Sequence, residues 1–147
     1  MAALTDPPPA APPHQPRVPV QVVAIPGRCW RCNEVTWPIV GVFVPRDGGG
    51  RRFLEFPEVA ERLAAAVSRE QLHELRTGEI KHRRSKVRPE GYLSNGCVDC
   101  DAIQGNFPLH EDLITFRAEG GSINDLIVGT LFLPRRQRGA RRAAEAS

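Results

Sequence analysis

No apolar run in this chain approaches the length of a membrane span. The longest, Leu126 to Leu133, is far short of the roughly 20 residues that a spanning helix needs. The start of the chain has neither the basic residues nor the continuous apolar stretch of a secretory leader, so a soluble, cytoplasmic protein with no membrane partner is expected. A phosphate-cradling glycine loop is missing, and so is any serine-histidine-acid arrangement. His73, His82 and His110 have no ligand spacing to a cysteine and read as surface residues. Cysteine itself is sparse, with four in 147 residues, and aromatic residues make up only 6%.

What is present fits one domain with a modest core. Residues 1–17 alternate proline with alanine and offer few large apolar side chains to offset the entropy of ordering, so a disordered arm is expected there. The formal charge of +3 is concentrated at the other end. Arg135, Arg136, Arg138, Arg141 and Arg142 face only Glu145, so residues 135–147 read as a disordered, arginine-rich tail and the body between is slightly acidic. Such a body lacks the global field of a strongly nucleic-acid-binding domain, and any binding of that kind would rest on local patches.

Between the tails, 18–134 reads as a single α+β domain. Val18 to Ile25 and Thr36 to Val44 are expected strands, with Pro38 placing the second at an edge or near a strand start. Pro45 to Gly50 is a turn or loop. From Pro57 the period changes: Val59, Leu63, Ala66 and Val67 share a helical face. Ser68 and Gln71 form a capping box for a second helical segment that buries Leu72 and Leu75 and ends at Thr77-Gly78. The two segments make a helical insert over about 57–77. Ile80 to Val87 and Gly91 to Ser94 are short strand candidates, and Leu126 to Leu133 is the last core strand.

The chemistry lies in the cysteines. Cys29-Trp-Arg-Cys32 and Cys97-Val-Asp-Cys100 each place two thiols on a tight turn, and two such turns make the tetrahedral sulfur site that zinc accepts. Gly27 and Gly96 before the pairs, and Asn33 and Asp101 after them, tolerate tight or left-handed backbone. In a reducing compartment paired thiols serve metals more often than disulfides. Dithiol redox chemistry would need a long helix after the first pair, where Thr36 to Val44 is strand-like. Catalytic zinc is disfavoured because four protein ligands leave no open position.

The spacing is long, with 64 residues between Cys32 and Cys97, and the helical insert is expected to account for it. Doubling a loop adds only about 0.6 kcal/mol, against roughly 10 kcal/mol or more for a structural zinc site. Zinc is therefore expected to supply much of the folding energy, and replacing any one cysteine by serine should unfold the domain.

Cys29-Trp-Arg-Cys32 with Thr36-Trp-Pro-Ile-Val40, and Tyr92-Leu-Ser-Asn-Gly-Cys-Val-Asp-Cys-Asp-Ala-Ile-Gln-Gly-Asn-Phe-Pro-Leu109, resemble a poorly characterised group of bacterial zinc-ribbon proteins with split knuckles. More loosely, they are similar to the zinc-binding region of competence-associated CoiA-like proteins. The resemblance implies a zinc-ribbon-like antiparallel sheet, with Cys29, Cys32, Cys97 and Cys100 as zinc ligands, and it brings no catalytic residue.

Two readings stand for the remaining polar features. Lys81, Arg83, Arg84, Lys86 and Arg88 lie in a stretch without an acid, either a nucleic-acid contact or a charged edge strand that discourages aggregation. Glu79-Ile-Lys81 matches half of a metal-dependent nuclease site, but no second acid is identified. Trp30, Trp37, Tyr92 and Phe107 flank the knuckles as core fillers or as stacking surfaces, with the core role favoured. The leading functional expectation is a non-enzymatic zinc module that serves as a platform for a protein or nucleic-acid partner. Its alternative is a nuclease or nucleic-acid-processing accessory guided by Lys81 to Arg88.

Overall fold

The computed structural model describes residues 16–135; of the expected arm over 1–17 and tail over 135–147, residues 1–15 and 136–147 lie outside the described residues, while Arg17 already belongs to the main sheet, paired with Pro134. The core is an antiparallel four-stranded sheet in the order β5-β4-β1-β9. Its strands are β1 (Arg17–Ala24), β4 (Ile39–Pro45), β5 (Arg51–Glu55) and β9 (Ile127–Pro134). Two strands of a short hairpin, β2 (Gly27–Arg28) and β3 (Val35–Thr36), intervene between β1 and β4. A third sheet runs β6-β7-β8, from Lys81–Arg83, Tyr92–Gly96 and Ile103–Gln104.

Alternate strand residues feed two cores, as a pleated strand requires. Val20, Val22, Val42, Leu131 and Leu133 pack with Phe56, Val59, Ala60 and Leu63 of α1 (Phe56–Ala66). Val23 and Val40 pack instead with Leu113 of α3 (Asn106–Ala118) and with Ile123 of the short 3-10 turn that follows it. A bulge re-aims the start of β4: Val23 pairs with Gly41 but Ala24 pairs with Ile39, so Val40 is the extra residue. Ile39 and Val42, three residues apart, thereby share one core, whereas Val40 enters the other.

Local chemistry explains the helix ends. Pro57 sits in the first turn of α1, and the Glu58 carboxylate accepts the Glu55 amide at 2.9 Å. Ser68 and Gln71 cap α2 (Arg69–Glu74) reciprocally, at 2.9 and 3.1 Å, as the sequence indicates. The end of α2 differs from expectation. Arg76 takes the left-handed conformation at φ 59°, and the Thr77 amide returns to the Leu72 carbonyl at 2.9 Å. Gly78 is needed for another reason, because a Cβ there would run into the Gly96 backbone.

The α+β class holds, with helices beside antiparallel sheets. The long interval between the cysteine pairs is not explained by a helical insert alone, since it also contains β4 and β5 of the main sheet. The expected strand from Thr36 to Val44 is split at Trp37-Pro38, with Thr36 in β3 and β4 starting at Ile39, and the largest elements to escape the sequence reading are β5, a polar strand with no fully buried residue, and α3, where only Leu113 is fully buried. No helix among the described residues is long and apolar enough to cross a membrane.

Candidate metal centre

Each cysteine pair sits at the tip of its own hairpin, and the hairpins are built alike. In the first, Gly27 pairs with Thr36 and Arg28 with Val35. In the second, Asn95 pairs with Gln104 and Gly96 with Ile103. A single sequence offset relates every one of these positions, and it also relates Cys29 to Cys97 and Cys32 to Cys100. The backbone bonds repeat as well. Cys29 and Cys97 donate to the carbonyls of Glu34 and Ala102 at 2.9 Å, and Asn33 and Asp101 donate back to the two cysteine carbonyls at 2.9 and 3.0 Å.

Asn33 and Asp101 close the turns in the left-handed conformation, at φ 64° and 68°, as their residue types foreshadow. The preceding glycines act differently from expectation, and neither has positive φ. Gly96 is small because the Arg83 guanidinium occupies the space a side chain would take, whereas Gly27 faces open space.

The four sulfur atoms lie within 4.8 Å of one another. Cys29 Sγ and Cys100 Sγ are 3.6 Å apart, and so are Cys32 Sγ and Cys97 Sγ. These separations exclude a disulfide, whose sulfurs lie at about 2.05 Å. They match the edges of a tetrahedral four-sulfur zinc site, about 3.8 Å for metal–sulfur bonds of about 2.3 Å. The Arg31 and Asp99 amides point at Cys29 Sγ and Cys97 Sγ at 3.3 and 3.4 Å, and the Gln104 side chain donates to Cys29 Sγ at 3.4 Å. Such donors stabilise thiolates. The donor set therefore fits a metal ion held by Cys29, Cys32, Cys97 and Cys100.

The thiols are electrostatically unequal. Burial opposes ionisation of Cys29, but amides of Cys32 and Arg31 and hydrogen bonds from Cys100 and Cys97 bring it down to about 7. At Cys32 an amide from Glu34 favours the thiolate, yet burial and the three neighbouring thiols outweigh it and push the group up to about 12. Burial is also the main cause that raises Cys97. Four sulfurs this close share negative charge poorly, which a divalent cation would relieve.

The two hairpins are cross-linked by polar contacts. Thr36 Oγ1 accepts from the Val98 amide at 3.1 Å and donates to the Arg76 carbonyl at 3.3 Å. The Trp30 indole N–H donates to the Ile103 carbonyl at 2.6 Å. Arg83 braces the second turn. It donates to the carbonyls of Glu79 (2.8 Å), Ser94 (2.9 Å) and Asp101 (3.2 Å), and to the Asp101 carboxylate at 2.6 Å. Burial of Asp101 would raise its carboxyl, but hydrogen bonds and charges from Lys81 and Arg83 hold it below the usual carboxylate range.

The basic stretch thus divides. Arg83 is turned inward with its side chain 8% exposed, and Lys81 pairs with Asp101 and Glu79. Arg88 pairs with Glu90 and lies over the Tyr92 ring. Arg84 and Lys86 face solvent. Sequence reasoning missed the role of Arg83 because its acid, Asp101, lies 18 positions away. It also placed Trp30 in the core, whereas that ring is 69% exposed, and Phe107 is 73% exposed. Trp37 and Tyr92 are half-buried. Of the described histidines, His110 pairs with Glu55 at 2.8 Å, and none joins the sulfur cluster. The Glu79-Ile-Lys81 segment is tied into the Asp101 cluster through Lys81.

A separate groove of about 1240 Å³ lies between α1 and β6–β7, lined by Glu58, Glu61, His82, Arg88, Tyr92 and Asn106 among others. No cysteine lines it. No family model matches the chain, and neither a curated protein nor a solved structure matches it.

Proposed function

We propose that the protein is a non-enzymatic zinc-binding module, its zinc structural, that presents the paired knuckles as a platform for a macromolecular partner. The observation that carries this reading is the four-sulfur cluster, because its ligand number, separations and amide donors suit a closed tetrahedral site. A closed site holds structure and does not activate water. On this reading the ribbon-like split knuckles are one unit, with zinc joining two halves that the chain supplies far apart. The resemblance to split zinc-ribbon proteins of bacteria belongs to the same proposal.

A second reading, a nucleic-acid-processing accessory guided by the basic stretch, has the solvent-facing Arg84 and Lys86 in its favour. Metal analysis by plasma mass spectrometry on protein purified under reducing conditions tests the first reading. One zinc per chain, with four thiols released on chelation, is the expected result. Metal-free protein with no titratable thiols would remove it. The accessory reading requires nucleic-acid affinity that falls when Arg84 and Lys86 are neutralised together.

A further inference from the structure

Because the two hairpins share one backbone plan, their differences show what zinc binding does not require. Trp30 and Val98 occupy equivalent positions between the first and second cysteines of their pairs. Val98 is half-buried, and the adjoining Asp99 is paired with Arg76 at 3.6 Å. The second turn therefore keeps the equivalent side chain partly covered. Trp30 has the same sequence neighbours in cysteine but turns its ring to solvent. Holding a metal does not explain an exposed indole, since the second knuckle does without one.

The surroundings of that ring are basic and partly fixed. Arg28 and Arg31 are both exposed, and the Arg28 guanidinium is anchored on the Asn33 carbonyl at 3.0 Å. Arg31 makes no ion pair among the described residues, and its amide is committed to Cys29 Sγ. Glu34 is the one acid in the hairpin from Gly27 to Thr36. A further exposed aromatic ring, Phe107, lies four residues along the chain from Ile103, whose carbonyl holds the indole, so their backbones are at most about 14 Å apart.

We infer that the Trp30 face of the first knuckle is a binding site for single-stranded nucleic acid, with a base stacked on the indole and phosphates met by Arg28 and Arg31. This rests on the platform reading above and names its partner. The chemistry selects the partner class. Peptide-binding tryptophans commonly use the indole N–H as a donor, and here that donor is already spent on Ile103 at 2.6 Å. What remains is an immobilised aromatic face, which is what a base requires, and every base has one. Two arginines beside it suit a polyanion, since the guanidinium binds phosphate in a planar fork. The bond to Ile103 also removes much of the ordering cost of the ring before any ligand arrives.

The test uses the full-length, zinc-loaded protein and a labelled oligothymidine strand, with anisotropy read at two salt concentrations. A Trp37→Phe background leaves Trp30 as the single fluorescent tryptophan. Binding should quench its emission and weaken as salt rises. Trp30→Ala should lower affinity about tenfold or more, Trp30→Phe should restore most of it, and Arg28→Gln with Arg31→Gln should flatten the salt slope. Zinc content is measured on every variant. If Trp30→Ala loses metal, the quenching and the Trp30→Phe variant still decide.

Strand binding with no quenching of Trp30, or with full affinity in zinc-loaded Trp30→Ala, would overturn the inference and leave the indole as a staple between hairpins. Quenching by a proline-rich peptide but not by the strand would overturn it in favour of a protein partner. Absence of zinc from the parent protein would instead fail the platform reading itself.

Discussion

The side chain of Asn95 takes the place of a strand alongside Ile39: its Oδ1 accepts the Ile39 amide at 2.8 Å, and its Nδ2 donates to the Ile39 carbonyl at 2.9 Å. Both residues are fully buried. The bond pair joins β7, which leads into the second knuckle, to the start of β4, which follows the first. Ile39 still pairs with Ala24 of β1 but lies beyond the last β4–β5 pair, Gly41 with Glu55, so its other side has no strand partner and Asn95 satisfies both of its backbone groups.

Replacing Asn95 by alanine should therefore leave two buried main-chain groups without partners, at about 1–3 kcal/mol each. Urea unfolding is expected to show a loss of about 2–5 kcal/mol. Asn95→Asp should be at least as damaging, since it keeps an acceptor for the amide and sets an oxygen against the Ile39 carbonyl. A stability equal to the parent in both variants would show that the side chain does not carry this join.

Arg83 should behave as an internal brace and not as a surface charge. Lysine at this position cannot span the acceptors on Glu79, Ser94 and Asp101, because it lacks the planar fork. Arg83→Lys is expected to cost about 3 kcal/mol and to speed loss of the bound metal to a chelator. Arg84→Gln, one position along and facing solvent, should stay within about 0.5 kcal/mol of the parent. Comparable effects of the two substitutions would contradict the division of the basic stretch.

The cysteine site was legible in the sequence because thiols at knuckle spacing, followed by Asn33 and Asp101, have few other uses. Helix α1, the Ser68–Gln71 box and the apolar strands were legible for the same kind of reason, since each signal is local. What stayed hidden depends on tertiary partners. Strand β5 is polar and takes its identity from pairing with β4. Helix α3 buries only Leu113 fully, so its period is faint. The inward turn of Arg83 depends on an acid beyond the next strand. Trp30 was misplaced because local composition favours burying an indole, and its exposure depends on how the two hairpins dock, with the indole N–H held on Ile103 and the ring left outside.

Metal removal should separate the two halves of the structure. The cores around Val22 and Val23 are distinct from the small cluster of Cys29, Cys97 and Ala102, so the four-stranded sheet has apolar support of its own. This revises the expectation that losing one cysteine unfolds everything. Chelation, or Cys97→Ser, should strip protection from the amides of β2, β3 and β8 in hydrogen exchange while those of β1 and β4 stay slow. The melting temperature should also fall, because the bound ion stabilises only the folded form. Uniform loss of protection across all strands would show that the metal supports the whole domain.

Two glycines, Gly78 packed against the second hairpin and Gly27 within the first, should respond oppositely to a methyl group. At Gly78 a Cβ would run into the Gly96 carbonyl, and because that neighbour is backbone it cannot rotate away. The chain must shift, and Gly96 leads directly into Cys97, so displacement passes to a member of the sulfur cluster. Gly78→Ala is expected to destabilise by about 1–3 kcal/mol, in the range of overpacking, and to accelerate release of the bound metal. At Gly27 a Cβ would meet nothing within 4 Å, and the backbone there is not in the left-handed region. Gly27→Ala should then be neutral within about 0.5 kcal/mol, or slightly stabilising, since it restricts the unfolded chain. Thermal melts and chelator-competition rates on the two variants give the contrast directly. Equal metal-release rates would mean that the close approach of Gly78 to Gly96 does not fix the position of Cys97.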